Sequence, residues 1–142
     1  MITNLVERYR SRVLLAAQTT AAAAQAYLPP TPGLISQTYR AIVTKGNAAD
    51  LTLTLRYADD AAGANAANYP VDVPIYINGV RQANGKTATV AGAAGSSVVD
   101  FCVDPATIPQ GKFVGLSFAI SNAATLLAAE LIEDVSYRPT PS

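Results

Sequence analysis

Histidine and tryptophan are missing from all 142 residues, and cysteine and methionine occur once each. Without histidine the chain lacks the commonest general base near neutral pH and the commonest nitrogen ligand for zinc, copper or iron. Serine or cysteine hydrolase chemistry in its usual form is thereby excluded, because Ser96, Ser97 and Cys102 have no imidazole to activate them. A single cysteine forms no intrachain disulfide, so a small secreted domain stapled by bridges is excluded and an intracellular folding site is favoured. Charge is scarce too: 14% of residues are charged, 10 basic against 10 acidic, which leaves no basic excess for a nucleic-acid backbone. The uncharged run from Val13 to Leu28 is short, alanine-based and polar in its middle, which argues against a membrane span.

What is present divides the chain in two. Residues 1–28 are alanine-rich and carry Arg8, Arg10 and Arg12 against Glu7, a net of +2. The remainder has 7 basic and 9 acidic residues, a net of −2. Arginines followed by Val13-Leu14-Leu15-Ala16-Ala17 and Ala24-Gln25-Ala26 imitate a secretory signal, but Gln18-Thr19-Thr20 interrupts the apolar region. The spacing instead predicts a helix. Asn4 and Glu7 form a capping-box pair, and Ile2, Val6, Tyr9, Val13, Ala17, Thr20, Ala24 and Tyr27 recur at three- and four-residue intervals along one stripe. Pro29-Pro30-Thr31-Pro32-Gly33 ends it, giving residues 1–33 as an amphipathic helix with a proline-rich linker and residues 34–142 as a separate domain. Such a helix either packs on its own domain or finds a partner. In the second case Ile2, Val6, Tyr9, Val13 and Tyr27 are apolar anchors, while Arg8 and Arg12 suit an acidic patch on that partner.

From Gln37 onward the period changes to two. Leu51, Leu53, Leu55 and Tyr57 alternate with Thr52, Thr54 and Arg56, which describes a strand with one buried face. Tyr69, Val71, Val73, Ile75 and Ile77 share a face, with Pro74 marking an edge or bulge. Asn78-Gly79 signals a tight hairpin and Asn84-Gly85 a second positive-φ turn, with a short strand between them. A weak strand over residues 86–91 and a loop over 92–95 follow. Val99, Phe101 and Val103 then face one way, as do Val114, Leu116, Phe118 and Ile120. In the last strand Glu133 interrupts the face of Leu131, Val135 and Tyr137, which predicts a bulge or a buried partner for the carboxylate. Thr38 to Lys45 supplies the first strand. Six to eight antiparallel strands separated by Gly, Pro and Asn turns predict a mainly β chain, a jelly-roll or Greek-key sandwich with an N-terminal α-helix. An open barrel is the rival.

Candidate chemistry is thin. Asp59, Asp60, Asn65 and Asn68 offer the oxygen ligands that calcium takes, but Asp, Asn and Gly are what turns use in any case. Glu130, Glu133 and Asp134 near Arg138 read as a salt-bridged surface. Cys102, between Phe101 and Val103, reads as a structural thiol, and Tyr57, Tyr69, Tyr76 or Phe113 could stack on sugars. No catalytic, cofactor-binding or metal-ligating residue is expected.

A small, alanine-rich, histidine-free sandwich with the segments 51–57, 69–79 and 129–139 resembles the capsid decoration (cement) proteins of tailed bacteriophages. The resemblance implies a non-enzymatic structural virion protein. It would form dimers or trimers on the capsid exterior after synthesis in the host cytoplasm, and its partner would be the major capsid protein, with no nucleic acid or membrane involved. A carbohydrate-binding or adhesin-like sandwich is the alternative.

Overall fold

The computed structural model describes residues 9–29, 31 and 33–135, which form eleven strands and one 3-10 turn at Pro105–Thr107. In chain order the strands are β1 (Tyr9–Thr19), β2 (Ala24–Leu28), β3 (Leu34–Lys45), β4 (Leu51–Ala58), β5 (Ala67–Asn68), β6 (Ile75–Ile77), β7 (Val80–Arg81), β8 (Thr87–Val90), β9 (Gly95–Val103), β10 (Phe113–Phe118) and β11 (Leu126–Val135). They make two antiparallel sheets, one ordered β1-β11-β3-β9-β6-β7 and the other β2-β10-β4-β5 with β8 also paired to β4.

Alternation builds the shared core. Leu51, Leu53 and Leu55 of β4 and Val114, Leu116 and Phe118 of β10 come from the smaller sheet. Tyr39, Ala41 and Val43 of β3, Val99, Phe101 and Val103 of β9, and Leu127, Ala129 and Leu131 of β11 meet them from the larger one. The sequence-level faces of β4 and β9 therefore stand, and the architecture is sandwich-like. β10 stops at Phe118, so Ile120 is exposed rather than inward. Val71 is likewise exposed between buried Tyr69 and Val73.

The turns divide similarly. Asn78 and Gly79 take φ of 51° and 77° and close the β6–β7 hairpin, the conformation that Asn-Gly favours between twisted strands. Asn84-Gly85 makes no such turn: Gly85 pairs with Val73 through backbone bonds of 2.9 and 3.0 Å. Pro74 interrupts the ladder between that bridge and β6, and its carbonyl accepts from the Cys102 amide at 2.9 Å. Gly115 marks the close approach of β10 to β2, since a Cβ there would sit 1.7 Å from the Ala26 carbonyl oxygen.

The N-terminal helix is not formed. Residues 9–28, the described part of that segment, are β1 and β2, and there is no α-helix among the described residues. β1 runs along β11 from Tyr9↔Asp134 to Thr19↔Leu126, while β2 pairs with β10 from Leu28↔Val114 to Ala24↔Phe118. Register shifts between Val13 and Leu15 and between Leu15 and Gln18 put Leu14 and Leu15 both in the core. These irregularities erase the two-residue period and leave an apolar spacing that imitates a helix. Alanine has the higher helix propensity, but a full ladder to β11 and the burial of Leu14 and Leu15 outweigh it. Thr20 ends β1, with its amide donating to the Thr125 carbonyl and its hydroxyl to the Asn122 carbonyl, both at 2.9 Å. The expected cap at Asn4 and Glu7, the stripe residues Ile2 and Val6, and Arg8 lie outside the described residues.

Because each sheet takes an edge strand from this segment, a chain trimmed to residues 31–142 loses both. We expect such a truncation to show no cooperative thermal transition by circular dichroism, whereas the full chain unfolds in one.

Candidate interaction surface

β1 places its two described arginines on the core side of the larger sheet, opposite Glu133 and Leu131. Glu133 follows Leu127, Ala129 and Leu131 on the inward face of β11 and is fully buried. One of its carboxylate oxygens, Oε1, accepts from Arg12 Nε at 2.6 Å and from the Arg10 guanidinium at 3.3 Å, while Oε2 has no partner among the described residues. Arg10 and Arg12 each also donate to Thr31 Oγ1 at 3.0 Å, and Arg12 to the Pro29 carbonyl at 3.3 Å, tying the β2–β3 connection to β1. Sequence reasoning expected a bulge or a buried partner at Glu133; both are there, with the register shift lying between Asp134 and Val135. The expected salt-bridged surface is corrected, because the carboxylate is interior and Arg12 meets its own chain.

Next to this pair the Tyr39 phenol is pushed above its ordinary pKa, by burial first and then by neighbouring Tyr69 and Glu133. It stays neutral and donates to Gln37 Oε1 at 3.2 Å. Cys102 lies on the outward face of β9 and its thiol is raised, chiefly by burial and then by Asp100, which fits the inert thiol read from its neighbours.

The outward face of the larger sheet carries two parallel rows. One runs across the strands as Val13, Glu130, Arg40, Asp100, Tyr76 and Arg81. Within it Arg40 grips Asp100 through two bonds of 2.7 and 3.2 Å, and Arg81 lies 5.5 Å from the Tyr76 ring centre. Arg40 is held above its usual pKa mainly by that hydrogen bond. The second row is apolar: Ala128 opposes Ile42, which opposes Val98. Ile42 is 46% exposed and Val13 72%, and with Leu15, Ala16, Ala17, Ala128, Ala129 and the charged Glu130 they line a shallow depression of about 260 Å³. An apolar strip rimmed by fixed charges is the arrangement of a protein interface.

The residues singled out from the sequence do not share one stripe. Tyr9 and Val13 are exposed on β1, and Arg12 is turned inward. Tyr27 is 3% exposed and belongs to the other sheet, where it opposes Gly115 and its hydroxyl donates to Gln25 Oε1 at 2.8 Å. The loop between β4 and β5 folds over that ring: a Cβ on Gly63 would lie 3.0 Å from it. Burial accordingly raises the Tyr27 phenol, partly offset by Arg56.

The polar side chains of that loop serve its own shape. Asp60 Oδ1 accepts from the amides of Ala62 and Ala64 at 2.9 and 3.0 Å, and Asp59 is engaged by Asn65 and Lys112, which hold its carboxyl below the usual range. Tyr57 and Tyr76 stand on different sheets and Tyr69 is fully buried, so these aromatics make no common stacking platform. Ile42 and Ala128 were missed. Alternation within β3 is the signal that places Ile42 outward, between buried Ala41 and Val43.

No protein-family model matches the chain, and no curated protein is significantly similar to it.

Breaking a buried ion pair from one side strands the other charge, whereas replacing both partners by apolar residues does not. Arg12→Met is therefore expected to destabilise the fold by about 3 kcal/mol, and Arg12→Met combined with Glu133→Leu to recover most of that loss. Urea denaturation of the two single variants and the double variant checks it.

Proposed function

We propose that this chain is a structural virion protein that decorates or cements a phage capsid through protein-protein contacts, and that it attaches by the outward face of the larger sheet beside β1. The observation that carries this reading is the apolar patch formed by the Ala128–Ile42 row and adjoining Val13, uncovered by the chain's own described side chains and set beside charged neighbours, of which Arg40 and Asp100 are already paired. Such a surface binds without reorganising, since the sheet beneath it is packed and its ion pairs are formed before the partner arrives. Among the described strands β1 is the last of its sheet, but its register shifts and inward arginines blunt strand addition, which favours docking on the face. A shell protein is a fitting partner because an exposed sheet face with an apolar patch beside paired charges can lie along another extended surface. The major capsid protein and a second copy of this chain are the contacts the reading names, on the exterior of the particle.

Substituting Val13→Glu together with Ile42→Glu places two charges in the strip without touching the core. The wild-type chain is expected to sediment as a dimer or trimer at tens of micromolar and to pellet with empty shells of its cognate major capsid protein. The double variant should remain folded by circular dichroism, sediment as a monomer and stay in the supernatant. A variant that assembles and pellets like the wild type removes this face from the account.

A further inference from the structure

The opposite sheet holds a cation without a counter-ion. Arg56 of β4 donates to the Ala66 carbonyl at 3.0 Å, its Nε is buried with no acceptor, and no carboxylate among the described residues pairs with it. The nearest acidic loop residues are used elsewhere, Asp59 by Lys112 and Asn65 and Asp60 by backbone amides. A half-buried guanidinium that keeps one donor unsatisfied is costly, and charges so placed are ordinarily paired.

Arg56 lines an open cavity of about 350 Å³ on the outward face of the smaller sheet, within the size range of small-molecule sites. The other polar groups there are short and regularly spaced: Thr52 and Thr54 on β4, Ser117 opposite Thr54 on β10, and Gln25 opposite Ser117 on β2. Gln25 Oε1 is occupied by the Tyr27 hydroxyl, which leaves its Nε2 as a donor. The site thus offers one positive charge, the hydroxyls of Thr54 and Ser117, that of Thr52 shared with Thr89 at 3.2 Å, and one amide donor, with Ala23 and Ala119 as its apolar lining. The volume exceeds what one acidic side chain of a protein needs, and the hydroxyls match the alternating donors and acceptors of a sugar ring.

We propose that this cavity binds a carboxylated sugar, its carboxylate on the Arg56 guanidinium and its ring hydroxyls against Thr52, Thr54, Ser117 and Gln25. The site lies on the sheet opposite the docking strip, so it stands or falls independently of the capsid reading. Selectivity follows from the two halves: the charge rejects neutral sugars, and the hydroxyl row rejects a bare carboxylate.

Amide chemical-shift titration of the full ¹⁵N-labelled chain with sodium D-glucuronate tests it, with D-glucose and sodium acetate as controls. Saturable shifts are expected at residues 23–27, 52–56 and 115–119, with glucose and acetate each binding about tenfold more weakly or worse. Arg56→Met should weaken glucuronate binding about tenfold. Thr54→Val, which leaves the Arg56–Ala66 bond in place, should weaken it severalfold, so the test survives if the arginine variant folds poorly. Absence of saturation with glucuronate overturns the proposal. So does acetate binding as tightly as glucuronate, the behaviour of a site for a protein's acidic side chain, and so does undiminished binding in the Thr54→Val chain.

Discussion

Glu133 is a carboxylate in the core, and the arrangement of the first strand follows from it. An ion taken out of water costs several kcal/mol unless an opposite charge and hydrogen bonds meet it. Here the compensation comes from across the sheet, through Arg12 and more weakly through half-exposed Arg10. Those arginines reach Glu133 only if β1 lies along β11 in the observed register, and their remaining donors then fasten Pro29 and Thr31. The chain between Thr31 and β3 is short, so the same contacts fix where β2 leaves for the other sheet. One buried charge thereby couples the edge strands of both sheets, although hydrophobic burial of Leu14, Leu15 and their neighbours supplies the larger share of the favourable energy.

Most of the β-region was legible because its strands obey a period of two without interruption. Leu51, Leu53 and Leu55, or Val99, Phe101 and Val103, announce a buried face that the structure keeps. The amino-terminal segment was illegible for the opposite reason. Two irregularities within seven residues of β1 destroy the alternation, and alanine supplies a spurious helical preference. The informative residues were Arg10, Arg12 and Glu133, spaced to face one another across a ladder. They announce it only to a reader who already knows that β1 and β11, more than a hundred residues apart, are neighbours. Contacts of that separation are set by topology, which local patterns do not encode.

The same long-range pairing explains the uneven success with the surface. Val13 stays outward whether its segment is helix or strand, so it survives as a surface residue. Tyr27 does not, because β2 crosses to the second sheet and the loop between β4 and β5 closes over its ring. The outward faces then differ in kind. On the larger sheet the charges are matched in place, leaving an apolar row uncovered; on the smaller sheet hydroxyls surround an unmatched Arg56. Matched charges beside apolar area suit a protein surface, and an unmatched cation among hydroxyls suits a small anionic ligand.

The account rests on residues 9–28 being two strands, β1 paired with β11 and β2 with β10, and nuclear Overhauser contacts across the β1–β11 ladder test it most directly. Cross-strand contacts between the Arg12 and Leu131 backbones, with extended-type ¹³Cα and ¹³Cβ shifts through residues 10–19 and 24–28, are the predicted result. Sequential amide contacts and helical carbon shifts through the same residues would contradict it.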